Sequence, residues 1–267
     1  MATCPNLEKL LSHLEDDLTW RKTEISKLFI IYSGKYEPVL AKSIVLFIYS
    51  HWEGYIKNAT KQYLFCVSEC NIKTNLLTRN FEAMIIKNVI STAKDSSSSL
   101  TLTNEIKILE KIEDNKKSVF KLKKELLNEK NKEFINTHSN LTLKNLNRIL
   151  IVVGLQKLSI SPPNENYIDD NLLNQRHTIG HGTKINSNNP KFKLEKDDLF
   201  KLRDFVYLVM EYIRDELIYF SENKLYLLSN KQLVAERESA RLPELSEQME
   251  RILNPDKFKK KAKSTDF

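Results

Sequence analysis

Glycine and proline are scarce in this 267-residue chain, at 5 and 7 copies. That scarcity excludes a turn-dense β-sandwich, a fold built on glycine-rich phosphate loops, and a low-complexity array. Cysteine is scarcer still. Cys4 is remote, and Cys66 and Cys70 lie four apart on an expected helix, so no disulfide framework is available and a reduced, intracellular protein is expected. Two thiolates at Cys66 and Cys70 are half of a zinc site, but no second pair follows at finger spacing; two small buried residues is the simpler reading. Long apolar runs are missing as well. The longest, Ile44–Tyr49 and Ile149–Leu155, fall far short of the roughly 20 residues a membrane span needs. The N-terminal stretch MATCPNLEKLLSHLEDD carries no basic region followed by an apolar one, so no signal peptide is expected. These absences together predict a soluble cytoplasmic protein with no membrane association.

What is present favours helices. The chain is 41% hydrophobic and 29% charged, enough for a packed core and too apolar for global disorder. Leu7, Leu10, Leu11, Leu14 and Leu18 recur at helical spacing and predict a first helix over about 6–32. A second, from about Pro38 to Cys70, places Ile44, Phe47, Ile48, His51, Trp52 and Tyr55 on one broad face at the centre of the core. Further helices are expected over 78–93, 143–157, from about Asn166 onward, and from Asp197 or Asp198 through Leu217. Residues 104–133 alternate Lys and Glu over a thin apolar stripe. They predict a charged helical pair turning near Asp114–Asn115 and projecting from the core. Beyond Asn223 one or two short helices precede a lysine-rich end. The fold class is all-α. The expected division is a domain over 1–222, with a charged helical insertion at about 95–135, and a helical extension with a basic tail over 223–267.

Net charge is +7, from 42 Lys and Arg against 35 Asp and Glu. Much of the excess is local: Lys257, Lys259, Lys260, Lys261 and Lys263 crowd the C-terminus. That cluster is either a solvated flexible tail or a weak RNA-binding element. Arginine is uncommon, at 9 copies, which makes one segment conspicuous: Asn174-Gln175-Arg176-His177-Thr178-Ile179-Gly180-His181-Gly182. An arginine, two histidines and two glycines interrupt an amphipathic helix, a poor composition for a core. Arginine and histidine in one cleft suit metal-free phosphodiester cleavage. Imidazole moves a proton to or from an attacking hydroxyl or a leaving oxygen, and guanidinium grips the phosphate as negative charge builds. Such chemistry can use the 2′-hydroxyl of RNA as nucleophile. The alternatives are a surface ion pair with a histidine at a helix C-terminus, or zinc on His177 and His181, for which no third ligand is evident nearby.

Arg-polar-x-x-x-His at the end of a helix in an all-α chain resembles the HEPN superfamily. A second match, Tyr49-Ser50-His51-Trp52-Glu53-Gly54-Tyr55-Ile56-Lys57, resembles the long-helix signature of the MAE-type HEPN proteins, bacterial proteins associated with toxin–antitoxin and phage-defence loci. The resemblance covers about residues 5–220. It implies a helical bundle that dimerises across one cleft and a metal-independent endoribonuclease that uses no cofactor. In that reading Arg176 binds and polarises the scissile phosphate, His181 is the general acid or base, and His177 orients either group. Where the family often has alanine before the histidine, this chain has Gly180. Glu53, off the main apolar stripe, either faces the cleft and pairs with Arg176 or forms a structural ion pair. His51 and Trp52 are expected to pack rather than to stack on bases. The resemblance also implies RNA as substrate, a homodimer, and an antitoxin or defence-system protein as partner. The alternative it leaves is a non-catalytic module that binds RNA, a nucleotide or a protein as a scaffold.

Overall fold

The computed structural model describes residues 5–32, 37–95, 102–138, 140–182 and 194–258. All regular elements among them are helical: α1 (Leu7–Ile31), α2 (Pro38–Glu69), α3 (Arg79–Asp95), α4 (Leu102–Lys117), α5 (Leu143–Val153), α6 (Pro162–Ile168), α7 (Gln175–Gly180), α8 (Lys196–Glu222) and α9 (Lys231–Leu253). The expected all-α class is therefore correct, with a few short 3₁₀ turns and a π-helical turn besides. No helix among the described residues is long and apolar enough to cross a membrane.

Helix α2 is the axis of the bundle. Of its 32 residues 17 are buried, on every side, which is the signature of a helix enclosed by others rather than laid on a surface. It packs against α1, α8 and α7. Trp52, Tyr55 and Tyr63 are fully enclosed, and truncating any one of them to alanine should cost about 3–5 kcal/mol. Gly54 is explained by α1: a Cβ there would meet the Arg21 guanidinium at 2.5 Å. Arg21 lies across the glycine to pair with Asp17 at 2.9 Å and to donate to the His51 carbonyl at 3.3 Å.

The stretch expected as a projecting helical pair differs from that expectation. A single helix, α4, runs through Asp114–Asn115 without turning and packs on α3. Residues 118–138, continued by 140–141, are then an irregular strap bearing one short 3₁₀ turn, Lys124–Leu127. The cause lies in its apolar residues, which are too widely spaced for a helical face but bury Phe120, Leu126, Ile135 and Leu141 against the core. The strap runs antiparallel to α2 and is pegged along it. Ser68 Oγ accepts from Leu122 N at 2.7 Å, and Lys61 Nζ donates to the Asn128 and Asn131 carbonyls at 2.8 Å each. Further along, Glu53 accepts from Thr137 Oγ1 and Tyr49 Oη accepts from Leu141 N at 2.7 Å. Buried Lys61, 3% exposed, has its ammonium pushed below the usual lysine value by burial and then by nearby Lys57.

Two other boundaries shift for physical reasons. Helix α5 stops at Val153 because Gly154 takes a left-handed φ of 85° and Leu155 N closes back on the Leu150 carbonyl at 2.9 Å, a Schellman ending. The C-terminal segment forms one 23-residue helix, α9, although Pro243 removes an amide donor from its interior. Both halves of α9 are tied down. Arg237 and Arg241 converge on Glu216 of α8, which is 2% exposed, at 2.8 and 3.3 Å. Leu245, Met249 and Leu253 are buried downstream. Near its end Glu250 accepts from Ser161 Oγ and Asn164 Nδ2 at 2.9 and 2.7 Å, fixing α9 to the start of the helix that leads to Arg176.

Candidate functional site

The segment carrying the Arg/His motif is a compound helix. It begins at Pro162, whose lack of an amide donor costs nothing at a first helical position. It passes through a π-helical turn, Asp169–Asn174, before α7. Tyr167 Oη donates to Asp198 Oδ1 at 2.6 Å, tying α6 to the first turn of α8. Leu172 and Leu173, adjacent in sequence, are both buried within the π turn, while α7 itself contains no fully buried residue, packs on α2, and sets half-buried Ile179 against the core. A π turn carries one extra residue and re-aims every side chain after it, and such turns recur at functional sites.

Arg176, half-buried, lies with its guanidinium carbon 4.6 Å from the centroid of the Tyr49 ring. The Tyr49 hydroxyl accepts from Leu141 N, and Glu53, whose charge acts on that hydroxyl, accepts from Thr137. Burial first, opposed by the Leu141 bond, and then the charge of Glu53 push the Tyr49 hydroxyl up to about 12, with Arg176 pulling the other way. Tyr49 is therefore a neutral phenol at physiological pH, fixed at both ends: its ring packs edge-on against Trp52, with centroids 6.3 Å apart. A guanidinium on a partly desolvated aromatic face gains about 1–2 kcal/mol and keeps its planar donors in one orientation. Glu53 thus stands among Tyr49, Thr137 and the field of Arg176.

His181 is the C-cap of α7 and is exposed. Its backbone N–H donates to the His177 carbonyl at 3.1 Å, and the two imidazoles meet edge to face with centroids 4.3 Å apart. His177 is exposed as well. Among the described residues, a Cβ on Gly180 or Gly182 would meet nothing within 4 Å. Among the described residues no three His, Cys, Asp or Glu side chains are grouped to hold a metal ion. His51 and Trp52 pack as expected. His51 is 4% exposed, with Nε2 3.3 Å from Glu24 Oε2, and Trp52 is fully buried. Of the C-terminal lysines, read as a solvated tail or a weak RNA-binding element, Lys257 lies 3.3 Å from Glu250, and Lys259, Lys260, Lys261 and Lys263 fall outside the described residues.

Two members of this constellation escape a reading of the sequence for chemistry. Tyr49 is four residues before Glu53 on a helix, so the pair shares one face, and that spacing is a usable signal. Thr137 has none: it is 84 positions from Glu53 and arrives only because the strap folds back along α2. A model of the MAE-type HEPN family matches residues 10–226 of the chain. No curated protein and no solved structure matches it.

Proposed function

The chain belongs to the MAE-type HEPN family, and from that premise we propose that it is a metal-independent endoribonuclease, acting as the effector of a bacterial toxin–antitoxin or phage-defence system. The observation that carries the reading is the pairing on α7 of an arginine held over the Tyr49 ring with an exposed histidine at the helix end. Arg176 binds the scissile phosphate and neutralises charge as it accumulates on the non-bridging oxygens. The ribose 2′-oxygen attacks phosphorus, the bond to the 5′-oxygen breaks, and His181 carries a proton from the former or to the latter. The products are a 2′,3′-cyclic phosphate and a 5′-hydroxyl. His177, in ring contact with His181, orients it. The exposed His177 and His181 suit a cleft completed by a second copy of the chain, which brings two motifs to one substrate.

The test is cleavage of a mixed cellular RNA pool in EDTA by the purified protein beside His181→Ala. Cleavage by the wild type alone, leaving 2′,3′-cyclic phosphate ends, is expected, as is growth arrest on expression that the same substitution relieves. Activity that survives both Arg176→Ala and His181→Ala, or that requires a divalent metal, overturns the mechanism. One observation favours a second reading, a non-catalytic binding module: the contact of Arg176 with Tyr49, beside Glu53, would also serve an arginine with a purely structural task. In that case Arg176→Ala lowers the melting temperature and no RNA cleavage is found in any variant.

A further inference from the structure

A cavity of about 210 Å³ opens beside the strap, between α3 and α5. Lys87 of α3, Lys132, Phe134 and His138 of the strap, and Arg148 of α5 line it. Three permanent cations and an imidazole thus converge from three elements that are far apart in sequence, against one carboxylate, Glu133. Lys132, His138 and Arg148 are exposed, so their charges are available to a ligand. The volume is below the roughly 300–1,000 Å³ typical of a small-molecule pocket. It matches a single phosphate with its ribose.

The cavity is held in register with the candidate site through the strap. Arg148 Nη1 donates to Asn145 Oδ1 at 3.1 Å, and Asn145 Nδ2 donates to the carbonyls of Thr137 and Asn140 at 3.0 and 2.8 Å. Thr137 in turn donates to Glu53, and Leu141 N of the same strap donates to Tyr49 beneath Arg176. On the other wall Lys87 Nζ donates to the Glu133 carbonyl and lies 5.1 Å from the centroid of the Phe134 ring. His138, next to Thr137, takes a left-handed φ of 51°, fixed by its N–H donating to Asn136 Oδ1 at 2.8 Å. Such a backbone is uncommon outside glycine and costs about 1 kcal/mol or more. One segment therefore buttresses the platform of Arg176 on one side and carries half of a basic cavity on the other.

We propose that this cavity binds the sugar–phosphate backbone of single-stranded RNA flanking the scissile bond. The proposal rests on the ribonuclease reading for the identity of the polymer, and it adds where the strand is gripped. Backbone contacts of this kind are insensitive to sequence and weaken with salt.

The experiment compares His181→Ala, which preserves the RNA, with the same protein carrying Lys132→Glu and Arg148→Glu, using fluorescence anisotropy of a labelled poly(U) oligonucleotide over a range of salt. Loss of two phosphate contacts is expected to weaken binding at least tenfold and to lower the log–log salt slope by about 1.4. Both positions are on the surface, and melting temperatures of the two proteins check that the fold is retained. Lys132→Glu alone, for which no hydrogen bond of the fold is at stake, is expected to give about half of the slope change. Unchanged affinity and slope overturn the proposal even if the wild type cleaves RNA, and an oligonucleotide that fails to bind the parent overturns it too. Binding that falls on charge reversal in a protein with no cleavage activity leaves the groove standing and removes the ribonuclease reading instead.

Discussion

The two regions that frame the candidate site are built on opposite terms. The α2 wall is buried and fully tied: Tyr49 is 3% exposed, bonded to the strap at its hydroxyl, packed on Trp52 and covered by Arg176. The end of α7 is exposed, with His177 and His181 in contact with each other and glycines on either side of His181 whose added Cβ would meet nothing within 4 Å among the described residues. Only four residues separate Arg176 from His181, yet one belongs to each region. Under the proposed ribonuclease reading, that difference would divide the parts of a phosphodiester site unequally. The group that would hold charge in a fixed place is preorganised by the monomer, whereas the group that would reach a proton is exposed to substrate or a second copy.

The largest effect should come from removing the group shared with the wall. Arg176→Ala is expected to reduce RNA cleavage by about 10²–10³, the cost of losing one charge-stabilising donor, measured as single-turnover rate. Tyr49→Leu breaks the wall while leaving the arginine. It should lower the rate by about tenfold, equivalent to the roughly 1–2 kcal/mol of the ring contact, with RNA binding much less affected. Tyr49→Phe keeps the ring but strands Leu141 N, and a cost of about 1–3 kcal/mol in stability with near-normal cleavage is expected. Equal losses in the two Tyr49 variants would mean that the hydroxyl, not the ring, is what Arg176 needs.

How much of this was legible depends on whether the signal was local. Helix α2 announced itself through the wide apolar face of Ile44, Ile48, Trp52 and Tyr55, and α7 through a composition no core would use. Gly54 was visible as part of a motif, but its reason was not, since Arg21 belongs to another helix. The strap was misread because Lys- and Glu-rich composition describes exposed side chains and is silent about where a backbone goes. Its course is set by long-range pegs, Lys61 on two carbonyls and Glu53 on Thr137, that periodicity does not encode. The same holds for α9, where one or two short helices were expected and the Glu216–Arg237–Arg241 cluster ties down one helix that continues through Pro243.

Acid should separate the two regions further. On the α1-facing side of α2, burial and then Arg21 hold the His51 imidazole below its ordinary value, with Glu24 and Asp17 opposing. The unfolded chain therefore binds a proton that the folded chain does not, in the interval below the ordinary imidazole value of about 6.5. His51 thus contributes stability that is present above that pH and is lost as pH falls toward the depressed folded value. A melting temperature that declines below about pH 6.5, with a shallower decline in His51→Gln, is expected. An identical decline in both proteins would move the acid sensitivity elsewhere in the bundle.

The smallest effect tests the exposed region. Gly180 is helical, a Cβ there meets nothing within 4 Å among the described residues, and its φ is not left-handed. Alanine at this position should stabilise the last turn of α7 by up to about 1 kcal/mol through helix propensity alone. Gly182, at φ 67°, is the contrasting neighbour, where alanine is strained and a loss of about 1 kcal/mol is expected. If Gly180→Ala raises the melting temperature slightly and leaves cleavage unchanged, the exposed end of α7 is only space for a ligand. If cleavage falls while stability rises, the end of α7 must bend to bring His181 to the phosphate, and glycine is there for motion rather than for room.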